Sequence, residues 1–205
     1  NDRYVTHRGR PATIINGTIW ANHNLGAVGT SLDPQGPLSV FFHGSYYQFG
    51  RILPVAGPSD NTKNSNYVNS TGISRTAWNV DDANPQKTSA DPCPDGNRIP
   101  TSAEFSRMVD EDTNEATNIG PFQSGTDRFD SAKRFVSKRN ANVNLVLPAQ
   151  GIFNTNSSTV LSRGAQANYW TSFATGNTIH RYIGRETTSE LDKISSSPES
   201  FRQLR

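Results

Sequence analysis

The sequence predicts an α+β domain in which two helices flank a small mixed or antiparallel sheet, with long ordered loops between the elements. Two segments, one after Thr101 and one at about 128–138, space their apolar residues like the buried stripe of a helix. Segments near 143–147 and 178–183 alternate in the manner of half-buried strands. Proline, glycine and small polar residues dominate 54–90, which indicates a long loop.

Size and composition indicate one globular domain. The chain has 205 residues and a mass of 22.5 kDa, which suits a single domain. The hydrophobic fraction of 33% is low, but ten Phe, six Tyr and three Trp predict an aromatic-rich core. Residues 1–12 carry three Arg and little apolar periodicity, so we expect an N-terminal arm or linker that leads into a domain over 13–205.

Charge and cysteine content exclude several kinds of partner and site. Lys and Arg are scattered among acidic residues and the net charge is only +2, so no nucleic-acid partner is expected. No apolar run approaches the roughly 20 residues of a membrane-spanning helix, so no membrane insertion is expected. A single cysteine excludes a disulfide framework and a cysteine zinc site. Cys93 is predicted to be a small buried residue with an inert thiol.

The N-terminal part of the domain is predicted to form a hairpin followed by loops. Residues 14–20 read as two short strands around Asn16 and Gly17, a pair that strongly favours a tight turn. The long loop over 54–90 has few side chains able to anchor it to a core. The expected anchors are Tyr67, Ile73, Trp78 and Val80.

Two helices are expected next. Thr101 and Glu104 have the spacing of a capping box, so the first helix begins after Thr101 and buries Phe105, Met108 and Val109. The second helix, over 128–138, has the apolar stripe Phe129, Ala132, Phe135 and Val136. The basic residues expected on its solvent side are Lys133, Arg134, Lys138 and Arg139. Strands are predicted to follow at 143–147, 168–172, 178–183 and 200–205.

The stretch from Asp91 to Phe105 closely resembles a known signature, D-P-C-P-x-G-x-R-x-P-T-x-x-E-[WF]. This signature belongs to the Fibrobacter succinogenes major paralogous domain, a family of bacterial and phage surface proteins. Five further segments resemble elements of that family in the same order, at 20–26, 45–51, 145–151, 168–172 and 200–205. The resemblance implies a C-type-lectin-like fold.

The chain departs from this family at its C-terminal end. Gln203 stands where members often have a cysteine, so a tether to Cys93 is not available. Pro198 and Glu199 replace a glycine of the family's pattern, so the final loop is expected to take a different path.

Enzymatic and metal chemistry is not indicated by any constellation of residues. The four histidines, His7, His23, His43 and His180, lack the spacing of a helical metal pair. Nucleophile, P-loop and dinucleotide motifs are missing from the sequence. Residues 78–82 echo part of a calcium-dependent lectin site but lie at the wrong place in the fold order. We therefore predict no catalytic residue, no metal and no cofactor.

Binding chemistry is better supported, in the segment 166–197. Aromatic residues there are mixed with Asn, Thr and Ser, a palette typical of adaptable recognition surfaces. The predicted ligand-binding residues are Gln166, Asn168, Tyr169, Trp170, Phe173, Asn177, His180, Tyr182, Arg185 and Thr187. For Tyr169 and Trp170 a core position is at least as well supported, and for the last four residues mere solvation is an equal alternative.

The resemblance extends to function. The variable proteins of diversity-generating retroelements have a similar ending, and they display hypervariable C-terminal residues on a fixed scaffold. This implies a non-enzymatic receptor-recognition protein on a virion or cell surface, whose partner is a protein or glycan receptor. Oligomerisation is left open. The alternative from another class is a structural or adhesive module of a larger bacterial surface protein.

Overall fold

The computed structural model describes residues 1–28, 38–69, 73–154, 156–175, 178–195 and 201–203. These residues form three small β-sheets and one short α-helix, α1 (Ser102–Val109). A 3₁₀ turn covers Val40–Phe42. The predicted α+β, C-type-lectin-like arrangement with two flanking helices is therefore wrong, because the described part of the chain is mostly β.

The strands fall into three groups. The first sheet has the order β1 (Arg3–His7), β2 (Arg10–Ile15), β3 (Thr18–Ala21). The second has the order β11 (Ser189–Ser195), β10 (Thr178–Gly184), β9 (Ala167–Thr175), β12 (Phe201–Gln203), β4 (Tyr46–Gln48), β5 (Pro54–Ala56). The third has the order β6 (Asn114–Ile119), β7 (Ala132–Ser137), β8 (Asn144–Pro148). Neighbouring strands are antiparallel except for β12 and β9, which are parallel.

The N-terminal hairpin confirms the predicted turn. Asn16 and Gly17 both have positive φ, 52° and 78°, as a tight two-residue turn between β2 and β3 requires. Residues 1–12, predicted as an arm or linker, form β1 and the start of β2 instead. The Asp2 carboxylate is buried and accepts hydrogen bonds from the Asn16 amide and the Ser137 hydroxyl, at 3.1 and 2.6 Å. These contacts attach the segment to the third sheet.

The second predicted helix is a strand. β7 covers most of the segment 128–138 and is the central strand of its sheet, paired with β6 and β8. A strand with both neighbours in place satisfies its backbone along its whole length, so pairing outweighed the helical spacing of its apolar residues. Lys133, predicted to be solvated, is only 4% exposed.

The predicted helix α1 is confirmed, with both halves of its capping box. Thr101 accepts a hydrogen bond from the Glu104 amide at 3.2 Å, and the Glu104 carboxylate accepts one from the Thr101 amide at 2.8 Å. Phe105 and Met108 are buried, as predicted, and Val109 is half-buried. Capping satisfies amides that would otherwise have no partner in the first turn.

The Pro-Cys-Pro corner, residues 91–104, is organised by the buried carboxylate of Asp91. This group accepts hydrogen bonds from the amides of Cys93 and Ile99, at 2.8 and 3.0 Å. The Lys87 ammonium lies 3.3 Å from the same carboxylate. One carboxylate therefore fixes both ends of the loop over residues 93–99.

A bidentate ion pair joins this corner to α1. Arg98 donates to the two oxygens of Glu104 at 2.9 and 2.6 Å. Burial opposes ionisation of Glu104, but the hydrogen bonds and charge of Arg98 hold the pKa of its carboxyl below the ordinary value. Cys93 is buried, as predicted, and burial together with the charge of Asp91 raises the pKa of its thiol.

Among the described residues, the core consists of three aromatic-rich clusters. The first lies between α1 and the sheets, where the rings of Phe105 and Tyr182 stack with centroids 5.5 Å apart. The second surrounds Trp78, which is fully buried and anchors the long loop as predicted. The third centres on Tyr46 and Phe153. The prediction that Val80 also anchors the loop is wrong, because Val80 is 50% exposed.

We predict that Asp91→Ala lowers the free energy of unfolding by about 2–4 kcal/mol, because two buried amides lose their acceptor and Lys87 loses its counter-charge. Asp95→Ala is the matched control, since Asp95 lies in the same corner but is exposed. It should change stability by less than about 0.5 kcal/mol. Urea unfolding followed by circular dichroism measures both, and equal effects would contradict the role of the Asp91 carboxylate.

Candidate ligand-binding surface

Four of the predicted ligand-binding residues, three on β9 and one on β10, are in the core. Asn168, Tyr169, Trp170 and Tyr182 are at most 1% exposed. None of these four side chains can contact a ligand in the folded protein. For them the prediction of a binding role is wrong.

Their burial has a direct cause, because β9 is covered on both faces. Tyr169 faces the first core cluster, where its ring lies 6.1 Å from that of Tyr182. Trp170 faces the second cluster, 5.5 Å from Phe49, and its indole N–H donates to the carbonyl of Tyr47 at 2.8 Å. Burial also raises the pKa of the Tyr182 phenol. The aromatic residues of this segment therefore stabilise the fold.

The accessible predicted residues fall into two groups at opposite ends of the β9–β10 hairpin. The first group lies next to the pair formed by Ala167 and Gly184 at one end of the hairpin. In it, Gln166 and Arg185 are half-buried and Thr187 is exposed. Phe173 and His180 are half-buried near the other end of the hairpin. At about 3.3 Å per strand residue the two groups lie roughly 20 Å apart. Asn177 lies outside the described residues.

The turn after β10, residues 184–189, is held from beneath by the third sheet. The Glu186 backbone carbonyl accepts hydrogen bonds from the side-chain amide of Asn118 at 2.7 Å and from the Lys133 ammonium at 3.3 Å. Lys133 also donates to the Asn118 side-chain oxygen at 2.7 Å. The Arg185 amide donates to the Thr188 carbonyl at 2.8 Å, which closes the turn.

Gly184 allows this close approach. A Cβ at this position would lie 2.6 Å from Cγ of Lys133 and 2.4 Å from the Tyr182 hydroxyl oxygen. Any larger residue would have to displace one of these side chains. Burial lowers the pKa of the Lys133 ammonium, and the charge of Glu186 acts in the opposite direction. The Lys133 ammonium donates hydrogen bonds to Asn118 and to Glu186, and these bonds fix the turn.

A polar cleft of about 430 Å³, here called the turn cleft, opens beside this turn. Its wall contains hydroxyl, amide and carboxylate groups and the ammonium of Lys133, together with the apolar side chains of Val109, Ala116 and Phe135. Its polar lining comprises Glu111, Asn114, Thr117, Asn118, Lys133, Glu186, Thr187, Thr188, Ser189 and Glu190. Such groups can donate to and accept from a polar ligand such as a sugar or a peptide backbone.

Two ion pairs stiffen the strands that lead into the turn. Arg181 donates twice to one oxygen of Asp192, at 2.6 and 3.0 Å, across β10 and β11. Burial opposes ionisation of Asp192, but the bonds from Arg181 hold the pKa of this carboxyl below its ordinary value. Arg185 and Glu190 lie 3.0 Å apart at the end of the same strand pair. The second pair is exposed and contributes little to stability.

Sequence reasoning missed most of the turn cleft. Asn118 and Lys133 belong to a different sheet, more than 50 positions before Glu186. The interpretation of 128–138 as a helix placed Lys133 in solvent. No signal in the sequence distinguished Lys133 from its basic neighbours Arg134, Lys138 and Arg139.

The chain was compared with family models, with curated proteins and with solved structures, and nothing matched. Within the described ranges, no group of three or more His, Cys, Asp or Glu side chains is placed to hold a metal ion. No helix in this same part of the protein has the length and apolar character needed to span a bilayer.

We predict that Lys133→Met loosens the turn without unfolding the protein. The Glu186 carbonyl loses a charged donor, while the buried stem is replaced by one of similar size. Amide hydrogen exchange at Arg185 should become about tenfold faster, with the free energy of unfolding changed by less than about 1 kcal/mol. Lys138→Met is the matched control, because Lys138 is exposed and bonds the Glu111 carbonyl instead. Unchanged exchange at Arg185 would show that Lys133 does not hold the turn.

Proposed function

We propose that this protein recognises a protein or glycan receptor without catalysis, displayed on a virion or cell surface, and that the turn cleft is its contact surface. The observation that carries the proposal is the anchored turn at 184–189. Its outward side chains, Glu186, Thr187 and Thr188, are exposed, while its backbone is fixed by Lys133 and Asn118. A surface that is ordered before binding loses less entropy when a partner docks.

The chemistry of the turn cleft agrees with this role. Glu190 lines the cleft and is paired with Arg185 beside it, and hydroxyl groups of the turn supply donors and acceptors. Recognition of a neutral or mixed-charge polar partner needs such a set. The sequence resemblance to surface-displayed variable proteins also supports receptor recognition. The contact residues lie at the turn and not along the strands.

The proposal predicts that Arg185→Ala and Thr187→Ala each weaken receptor binding about fivefold or more, at unchanged thermal stability. The probe is the fluorescently labelled protein, applied to a glycan array and to intact cells of a panel of bacterial strains. Arg75→Ala is the control, because Arg75 is exposed and is not part of the turn cleft. If no surface retains the protein, or if the variants bind like the wild type, the structural or adhesive module is the better description.

The retroelement hypothesis makes a separate prediction about variation between gene copies. Adenine-specific differences from a nearby template repeat should fall on exposed positions of the turn, such as Thr187 and Thr188. They should spare the buried Tyr169 and Trp170. Sequencing the surrounding locus measures this. A locus without a template repeat, or differences concentrated in the buried residues, would refute the hypothesis.

A further inference from the structure

A second and larger concavity lies between the N-terminal hairpin and the 91–104 corner. Its volume is about 760 Å³, within the range of ligand-binding pockets. It is here called the hairpin groove. One wall contains the consecutive residues 17–21, and the opposite wall contains Pro94, Gly96, Asn97, Arg98 and Pro100. None of its lining residues belongs to the turn cleft.

The first wall is the open edge of a sheet. Among the described residues, β3 pairs only with β2, and no other strand lies along its second edge. Because Ile15 and Thr18 flank a two-residue turn, they form a hydrogen-bonded pair, and the next pair, Ile14 and Ile19, does not. The backbone N–H and C=O of Ile19 therefore point away from β2, and no hydrogen bond to them is found among the described residues.

The groove carries uncompensated positive charge. Its charged lining residues are Arg10, Arg98, Arg107 and Glu104, besides two histidines. The Glu104 carboxylate is already bonded to Arg98 and to the Thr101 amide. Arg10 and Arg107 are exposed, and neither has a carboxylate partner in the described part of the chain. Arg107 donates to the Thr18 hydroxyl at 3.3 Å, a neutral acceptor that leaves its charge uncompensated. Both guanidinium groups can therefore pair with an anionic ligand.

The walls are rigid before any ligand arrives. A ring nitrogen of His7 lies 3.1 Å from the Gly96 carbonyl oxygen and joins the β1–β2 hairpin to the corner. The corner itself is fixed by Asp91 and by its prolines. Rigid walls reduce the ordering cost of binding, as they do for the turn cleft.

From these features we propose that the hairpin groove binds an extended acidic segment of a partner protein. The segment adds as a strand to the free edge of β3 and pairs with the Ile19 backbone. Its carboxylates contact Arg10 and Arg107. Strand addition supplies affinity through main-chain hydrogen bonds, and the charges select acidic partners. This site is distinct from the proposed receptor surface and does not depend on it.

A selection from a phage-displayed library of random peptides, roughly 12 residues long, tests the proposal. The bait is the intact protein, with counter-selection on Arg10→Glu/Arg107→Glu. Enriched peptides should be acidic, and the charge reversal should weaken their binding by about tenfold or more. Arg3→Glu/Arg75→Glu is the matched control, because both residues are exposed arginines outside the groove, and it should bind like the wild type. Circular dichroism establishes that each variant is folded.

Addition of the peptide as a strand at the edge of β3 can be tested separately by hydrogen exchange. Amide hydrogen exchange at Ile19 should slow in the complex with an enriched peptide, because its outward N–H gains an acceptor. A heparin-derived oligosaccharide, which is anionic but has no strand-forming backbone, should leave this exchange unchanged and compete weakly. No enrichment of acidic peptides, equal binding to the charge-reversed variant, or unprotected Ile19 in the complex would each overturn the proposal.

Discussion

Strand β9 is covered on both faces, and this constraint decides which residues of the β9–β10 hairpin can reach the surface. Tyr169 faces α1 and the third sheet, whereas Trp170 faces the long loop anchored by Trp78. Over residues 167–172 this strand cannot also be a contact surface, because its side chains are needed in a close-packed interior. Accessible chemistry is thereby confined to the ends of the hairpin and to the edges of the sheets. Both surfaces described above lie at such places.

Local signals in the sequence predicted local structure well. The Asn16–Gly17 turn needs positive φ at two successive residues, and few other pairs supply it. The capping box needs only a Thr and a Glu three positions apart. Burial of Cys93 and Trp78 followed from residue type alone. In these cases the determining contacts are close in sequence or are intrinsic to the residue.

The predictions that proved wrong concern segments whose structure is decided by contacts with residues distant in sequence. β7 has helical spacing of its apolar residues, but pairing with β6 and β8 makes it a strand. β1 has no clear periodicity, and it is held by β2 and by the buried Asp2. For the candidate site, the aromatic residues predicted to bind are covered by the first cluster on one face of the sheet and by the second cluster on the other.

The Pro-Cys-Pro corner gives the molecule a built-in reporter. Cys93 is the only thiol in the chain, it is 7% exposed, and its raised pKa keeps it protonated at neutral pH. Alkylating reagents act on the thiolate and need access to the sulfur atom. Their rate of reaction in native buffer therefore measures how often the corner transiently opens. Since Cys93 also lines the hairpin groove, the same reaction is sensitive to whatever occupies it.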